Sequence, residues 1–208
     1  MKIDSIGSQP DRVGRYPVQF SDGSLLRLYS QTVQDFGLYT GMELTEQQIS
    51  ALRESAGQMS AKMRAVRIVA ASNVSGKDLE QRLVQKGESP KQAREAVQWM
   101  EELALVDDEK TAQLIVQRCI ARGYGKARAK QALYEKMIPM ELWDRVLEDY
   151  PDQTDAIVTF LRSRLENSRD QRDVKRATDA LLRRGHSYAE IRQGLQKLLL
   201  DPDSFPEE

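Results

Sequence analysis

The chain of 208 residues is poor in several residue types, and each shortage excludes a class of site or of protein. A single cysteine, Cys119, excludes an internal disulfide framework and is typical of a reducing cytoplasm. A single histidine, His186, excludes a metal site with two histidine ligands. The formal net charge of −1 argues against bulk capture of nucleic acid, although it says nothing about local patches.

Long apolar runs are also missing. No stretch approaches the ~18 consecutive apolar residues of a membrane span, and the N-terminal MKIDSIGSQPDR lacks the apolar region of a signal peptide. We therefore expect a cytoplasmic protein that does not associate with membranes. The histidine, cysteine and carboxylate groups form no recognisable catalytic set, so we expect no enzymatic activity, no metal and no cofactor.

What the sequence does contain is an internal repeat. A basic residue followed by a turn position recurs at Lys86-Gly87, Lys136-Met137 and Arg184-Gly185, so successive turns are 50 and 48 residues apart. A period of this size indicates stacked helical units, none of which buries its apolar face alone. Apolar positions keep the same register before and after each turn: Leu83, Leu133 and Leu181 before it, and Val97, Leu147 and Leu195 after it.

The repeat predicts a mainly α protein. We expect three tandem three-helix repeats in an elongated, curved stack, preceded by a small extension. The extension is predicted to hold a β-hairpin around Asp22-Gly23 and a helix that begins with a capping box of Thr45 and Gln48. The predicted segments are residues 1–57 for the extension, 58–106, 107–150 and 151–200 for repeats 1, 2 and 3, and 201–208 for a frayed tail.

Residues at the repeat junctions have the chemistry of helix ends. Ser75 and Ser89 predict N-caps in repeat 1, and either Asp107 or Asp108 predicts the N-cap that opens repeat 2. This N-capping role is preferred for the acidic junction over a magnesium site, because no further oxygen ligands converge nearby. Repeat 2 has Met137 where the other repeats have glycine, so its turn must close without an unstrained left-handed residue.

Three strings in order carry a resemblance to a known family: SGKDLEQRLVQKG, LALVDDEKTAQLIVQR and GYGKARAKQALYEKMI. They resemble the RecX family, bacterial regulators of the RecA recombinase, most strongly from about residue 65 to 137. The resemblance implies a protein that binds RecA filaments on single-stranded DNA and restrains filament growth, ATP hydrolysis and strand exchange. It implies a role in DNA repair, homologous recombination and the SOS response, without enzymatic activity of its own.

The resemblance makes the RecA nucleoprotein filament the expected partner and leaves single- or double-stranded DNA open as a second one. We expect a monomer. A DNA-binding module that acts without RecA is an alternative, since each three-helix unit superficially resembles a helix-turn-helix. The near-zero net charge and the lack of an obvious base-reading helix weigh against it. A third hypothesis is a generic helical scaffold whose function depends on neither DNA nor RecA.

The sharpest candidate interface is a basic stretch in repeat 2, where six basic residues between Gln117 and Met137 stand against one acid, Glu135. A flexible aromatic residue, Tyr124, lies among them and is able to stack on a base or enter a protein interface while the cations meet phosphates or carboxylates. The alternative interpretation is a solvated helix face next to a glycine-rich loop, with no role in binding. The candidate RecA- or DNA-binding residues are Arg118, Arg122, Tyr124, Lys126, Arg128, Lys130 and Lys136.

Two other cationic sets are weaker candidates. In repeat 3 the cations alternate with acids at helical spacing, which favours surface ion pairs, although one face could still be basic. A third, smaller set lies in repeat 1. The repeat 3 set comprises Arg162, Arg164, Arg169, Arg172, Lys175, Arg176, Arg183 and Arg184, and the repeat 1 set comprises Arg64, Arg67, Lys77, Arg82 and Lys86.

Single residues with notable chemistry have structural interpretations. Cys119 is expected to pack as a small apolar residue, and His186 to form a local hydrogen bond. Trp99 and Trp143 are expected to be core anchors. The string GYGKARAK does not make a phosphate-binding loop, because it lacks the earlier glycine and the Ser or Thr that follows the lysine.

Overall fold

The computed structural model describes residues 1–165 and 170–200, with only the backbone of Leu200. Over these residues the chain is mainly helical and has a small antiparallel sheet near the N-terminus, which confirms the predicted fold class. The predicted frayed tail, 201–208, and Arg169 lie outside the described residues.

Two compact units make up the chain, Met1–Val106 and Asp107–Glu208, which we name the first unit and the second unit. Each unit has two apolar cores among the described residues. The cores of the first unit belong to the N-terminal extension and to repeat 1, and those of the second unit belong to repeats 2 and 3. The boundaries that we predict within each unit stay predictions.

The N-terminal sheet has three antiparallel strands in the order β1 (Ile3–Ile6), β2 (Arg15–Phe20) and β3 (Leu25–Tyr29). The β2–β3 pair is the predicted hairpin. Its turn contains Gly23 at φ +80°, a conformation that favours glycine. Strand β1 is not among the predicted elements, because its two apolar residues, Ile3 and Ile6, do not alternate with a period of two. It pairs with β2, with Ile3 opposite Phe20.

Helix α2 (Glu46–Ala71) connects the extension to repeat 1. It begins with the predicted capping box, in which the Thr45 hydroxyl accepts from the backbone N–H of Gln48 at 3.2 Å. The first part of α2 buries Leu52 against the sheet, and its second part buries Ala61 and Ala65 in the core of repeat 1. The predicted segment boundary between residues 57 and 58 thus falls inside one continuous helix. The helices of the first unit are α1 (Ser30–Asp35), α2 (Glu46–Ala71), α3 (Gly76–Gln85) and α4 (Pro90–Glu102).

The helices of repeat 1 begin at their predicted N-cap residues. The Ser75 hydroxyl accepts from the backbone N–H of Asp78 at 3.1 Å and opens α3, and Ser89 opens α4 with Pro90 in its first turn. The apolar faces of α3 and α4 meet in a core that includes Leu83 and Met100. Trp99 packs half-buried on the edge of this core, as expected of an anchor.

The second unit opens at Asp107, whose side chain accepts from the backbone N–H of Lys110 at 2.9 Å. The last helix of repeat 2 is short. Trp143 stands at its start and donates from its indole Nε1 to the Ile138 carbonyl at 3.1 Å. The helices of the second unit are α5 (Asp108–Ala121), α6 (Lys126–Glu135), α7 (Trp143–Val146) after a 3-10 turn at Met140–Leu142, α8 (Thr154–Leu165), α9 (Gln171–Arg183) and α10 (Tyr188–Leu200).

The repeated turn has the same hydrogen bonds in all three repeats. In repeat 2, Met137 takes the left-handed conformation at φ +53°, and the N–H of Ile138 donates to the Leu133 carbonyl at 3.0 Å. The equivalent bonds close the turns at Gly87 and Gly185. This is the Schellman motif that commonly ends a helix. The turn therefore keeps its geometry without glycine, at the cost of left-handed strain at Met137.

Candidate interaction surface

The predicted basic residues lie where α5 ends and α6 begins. Arg118 and Arg122 stand in the last turn and at the C-cap of α5. Arg128 is half-buried, Tyr124 lies in the intervening loop, and the remaining cations are exposed on α6. We name the set of predicted residues the α5–α6 basic surface: Arg118, Arg122, Tyr124, Lys126, Arg128, Lys130 and Lys136.

Helix stability explains only some of these cations. Arg118 and Arg122 are at the C-terminal end of α5, where the helix dipole favours positive charge. Helix α6 is different. Its first turn has no acidic residue, Gly125 offers no capping side chain, and Lys126 and Arg128 stand where the dipole disfavours cations. The positive charge at the start of α6 therefore has no stabilising role in the helix itself.

Most of the charge on the α5–α6 basic surface is available to a partner. Arg128 bonds to Glu135, the one acid of the stretch, at 3.0 Å. By contrast, no carboxylate of the described residues lies within ion-pairing distance of four other cations. These four are Arg118, Arg122, Lys126 and Lys130.

Tyr124 is held more firmly than a free stacking residue. Its half-buried ring packs against the core of repeat 2, and its carbonyl accepts a hydrogen bond of 2.6 Å from the Tyr150 hydroxyl. Burial raises the pKa of Tyr150 to about 12, so this hydroxyl remains a donor over the physiological range. Tyr124 as a partner-binding residue stays a prediction, but the flexible ring that we expected is instead fixed by the fold.

Repeats 2 and 3 meet backbone to backbone at two glycines. The N–H of Gly125 donates to the Arg184 carbonyl at 2.9 Å, and the N–H of Ala127 points at the Gly185 carbonyl at 3.4 Å. A Cβ on Gly125 would lie 2.0 Å from the Gly185 oxygen, and a Cβ on Gly185 would lie 2.2 Å from the Arg128 nitrogen. Only glycine fits at either position, and the third-repeat turn supplies the cap that the start of α6 lacks.

His186 completes this junction, which corrects our expectation of a local hydrogen bond. Its ring is buried, and Nε2 lies 3.0 Å from the carbonyl of Gly123, 63 residues away along the chain. Burial lowers the pKa of His186, so the neutral ring donates from Nε2. Nδ1 is also buried and has no partner in the described part of the chain.

Cys119 behaves as expected. It is buried in the core of repeat 2, and burial raises the pKa of its thiol. It is therefore a small apolar core residue with low thiolate character.

The repeat 3 cations are arranged differently from our prediction of surface ion pairs. Arg176 does bond to Asp173 at 3.3 Å. Arg164, Arg183 and Arg184, however, have no ion pair with any carboxylate of residues 1–165 and 170–200. They surround the ring of Phe160 and meet Arg128 from repeat 2. The sequence could not reveal this cluster, because its members come from three helices and a turn that only the fold brings together.

Metal and membrane sites find no support in the described residues. Among them, no group of three or more His, Cys, Asp or Glu side chains is arranged to hold a metal ion. No described helix is both long and apolar enough to cross a membrane.

Comparison with known proteins finds no matching family model, but it does find individual relatives. The chain is 28% identical over 131 residues to Regulatory protein RecX of Halorhodospira halophila, which covers 62% of this chain and 81% of that protein. It is 24% identical over 204 residues to Regulatory protein RecX of Clostridioides difficile, with 95% and 94% covered.

Solved structures share the fold. A crystal structure of regulatory protein RecX aligns with a TM-score of 0.68 and 22% identity, over 94% of this chain and 98% of that one. The crystal structure of RecX from Lactobacillus salivarius aligns with a TM-score of 0.63 and 21% identity, over 71% of this chain and 99% of that one.

The fold defines a helical-repeat protein whose second unit has an exposed basic surface. Its relatives in sequence carry one name, and a solved protein of that name has the same fold over 94% of this chain. These likenesses in sequence and in fold support the RecX family for this chain.

Proposed function

We propose that this protein regulates the RecA recombinase by binding RecA filaments on single-stranded DNA. In this role it inhibits ATP hydrolysis by RecA, filament extension and strand exchange, and so affects DNA repair, homologous recombination and the SOS response. The observation that carries the proposal is the likeness to regulatory RecX proteins, which extends over 95% of the chain in sequence and 94% in fold. RecA as the partner follows from the family resemblance.

The α5–α6 basic surface is the proposed contact. Arg122, Lys126 and Lys130 are exposed, without an acid partner among the described residues, and Lys126 is not placed to stabilise its own helix. Such cations are available to carboxylates on RecA or to phosphates of the enclosed DNA. Because the contacts are ionic and exposed, we expect the affinity to fall as salt rises.

Helical repeats suit a filament as a target. Each repeat presents its own surface, so several modest contacts can add up along neighbouring RecA protomers. A protein bound across protomers hinders their rearrangement during ATP turnover or blocks the addition of new ones at a filament end. No catalytic group on this chain is needed for either effect.

The test is the ATPase activity of RecA on single-stranded DNA, titrated with this protein well below one molecule per RecA. We expect strong inhibition at such ratios, since one bound molecule affects many protomers when it caps or clamps a filament. Unchanged ATPase activity with the cognate RecA and a folded protein would refute the proposed function. Tight duplex binding at physiological salt in the same preparation would then favour the DNA-binding alternative.

A triple charge reversal tests the contact surface. Arg122→Glu, Lys126→Glu and Lys130→Glu together should abolish most of the inhibition, because they replace three free cations by acids. The matched control reverses Arg12, Arg53 and Arg192, which are also exposed and have no ion-pair partner among the described residues. The control should inhibit like the wild type. Equal inhibition by both variants, with unchanged circular dichroism, would exclude this surface.

A further inference from the structure

The second unit has another basic region, and its lining cations among the described residues are all arginines. Three adjoining spaces surround Phe160, with volumes of about 280, 380 and 520 Å³. Arginine is the only kind of cation among the described residues that line them. We name this feature the arginine cleft, and its arginines are Arg122, Arg128, Arg164, Arg176, Arg183 and Arg184.

The cleft has a surplus of positive charge. Two acids also line it, but each is already bonded: Asp173 to Arg176 at 3.3 Å and Asp155 to Lys197 at 2.6 Å. Arg164 and Arg183 are exposed and have no acid partner in the described ranges. Like charges placed together without counter-ions repel each other. Such an arrangement is favourable when an anion is bound between them.

The preference for arginine over lysine indicates the kind of anion. A guanidinium group presents parallel N–H donors that match the two oxygens of a carboxylate or phosphate, whereas an ammonium group acts as a point charge. The ring of Phe160 fixes two of these groups. The guanidinium carbon of Arg184 lies 4.4 Å from the ring centroid and that of Arg164 lies 5.5 Å from it.

The same rings argue against single-stranded nucleic acid as the ligand. Sequence-independent binding of single strands relies on aromatic faces on which bases stack. Here guanidinium groups already lie over Phe160, and Arg184 also lies 6.0 Å from the centroid of Tyr124. Both rings are half-buried against the cores of their repeats. The cleft thus offers bidentate donors without a stacking platform.

We infer that the arginine cleft binds an acidic peptide segment of a protein partner, with consecutive Asp or Glu carboxylates held by Arg164, Arg183 and their neighbours. This inference deepens the proposed function, because Arg122 and Arg128 belong both to the cleft and to the α5–α6 basic surface. It assigns the carboxylates of the partner to the junction of repeats 2 and 3. Its test does not use RecA, so a negative result for one of the two proposals does not refute the other.

The probe is a fluorescein-labelled oligoglutamate peptide, whose binding to the full chain is followed by fluorescence anisotropy at low salt. The variant Arg164→Gln/Arg183→Gln should bind about tenfold more weakly or worse, since it removes two charge-assisted contacts. The matched control is Arg172→Gln/Lys175→Gln. It removes the same charge from exposed positions of α9 that do not line the cleft, and should keep binding within about twofold.

A lysine variant separates geometry from charge. Arg164→Lys/Arg183→Lys keeps the net charge but loses the paired donors, so it should bind several-fold more weakly than the wild type. Wild-type affinity in the lysine variant, or an equal loss in the Arg172/Lys175 control, would overturn the inference. So would a length-matched oligothymidylate that binds more tightly than the peptide and shows the same loss in the glutamine variant. That result would identify a nucleic-acid site.

Discussion

The backbone junction of repeats 2 and 3 allows a prediction whose parts can be measured separately. Gly185 has φ +86°, and its Cβ position lies 2.2 Å from the Arg128 backbone nitrogen. An alanine at this position therefore has both left-handed strain and a clash with backbone. Gly125 has φ −75° and shares only the clash, at 2.0 Å from the Gly185 oxygen. Gly87 has φ +93° and nothing within 4 Å, so it shares only the strain.

The magnitudes follow from these differences. Left-handed strain costs an alanine about 1 kcal/mol, which is the full expected effect of Gly87→Ala. A clash with backbone forces the two turns apart and endangers the bonds from Gly125 to Arg184 and from His186 to Gly123. Each such bond contributes about 1 kcal/mol. We expect Gly125→Ala to lower the free energy of unfolding of the second unit by about 2 kcal/mol, and Gly185→Ala by about 3 kcal/mol.

The two tryptophans make the assay specific for each unit. Trp143 reports on the second unit and Trp99 on the first, so a Trp99→Phe background isolates the second unit in urea unfolding followed by fluorescence. Gly87→Ala is measured in a Trp143→Phe background. If Gly185→Ala costs no more than Gly87→Ala, the close approach of the two turns contributes nothing and the reasoning fails.

Two further predictions concern single residues. Met137→Gly should raise the free energy of unfolding of the second unit by up to about 1 kcal/mol, since it relieves left-handed strain at φ +53°; a loss of stability in urea unfolding would contradict this. The buried His186 has a lowered pKa in the folded state, so the unfolded chain binds more protons between that pKa and the ordinary value of 6.5. Its contribution to stability is therefore complete above the ordinary value and is lost as pH falls below it. His186→Gln should flatten this part of the pH dependence of unfolding, and an unchanged slope would show that another group causes it.

Much of the fold could be predicted because helix ends have local chemistry. Thr45, Ser75, Ser89 and Asp107 cap the helices that they were predicted to cap, since capping depends on a side chain and a backbone N–H within one turn. Strand β1 could not be predicted, because it owes its structure to pairing with β2 and to burial of Ile3 rather than to its own sequence.

The two parts of the candidate site differ in the same way: one depends on local sequence and the other on contacts between residues far apart in the chain. The α5–α6 basic surface is one continuous stretch, so a count of charges finds it. The arginine cleft depends on two glycines that let one turn approach another, which places Arg128 beside Arg183 and Arg184 although they are far apart in the chain. In sequence Arg183 and Arg184 belong to a set that alternates with acids and resembles a solvated helix face. In the fold neither has an ion pair with a carboxylate of the described residues, and for this reason we assign the cleft a ligand rather than a role in helix stability.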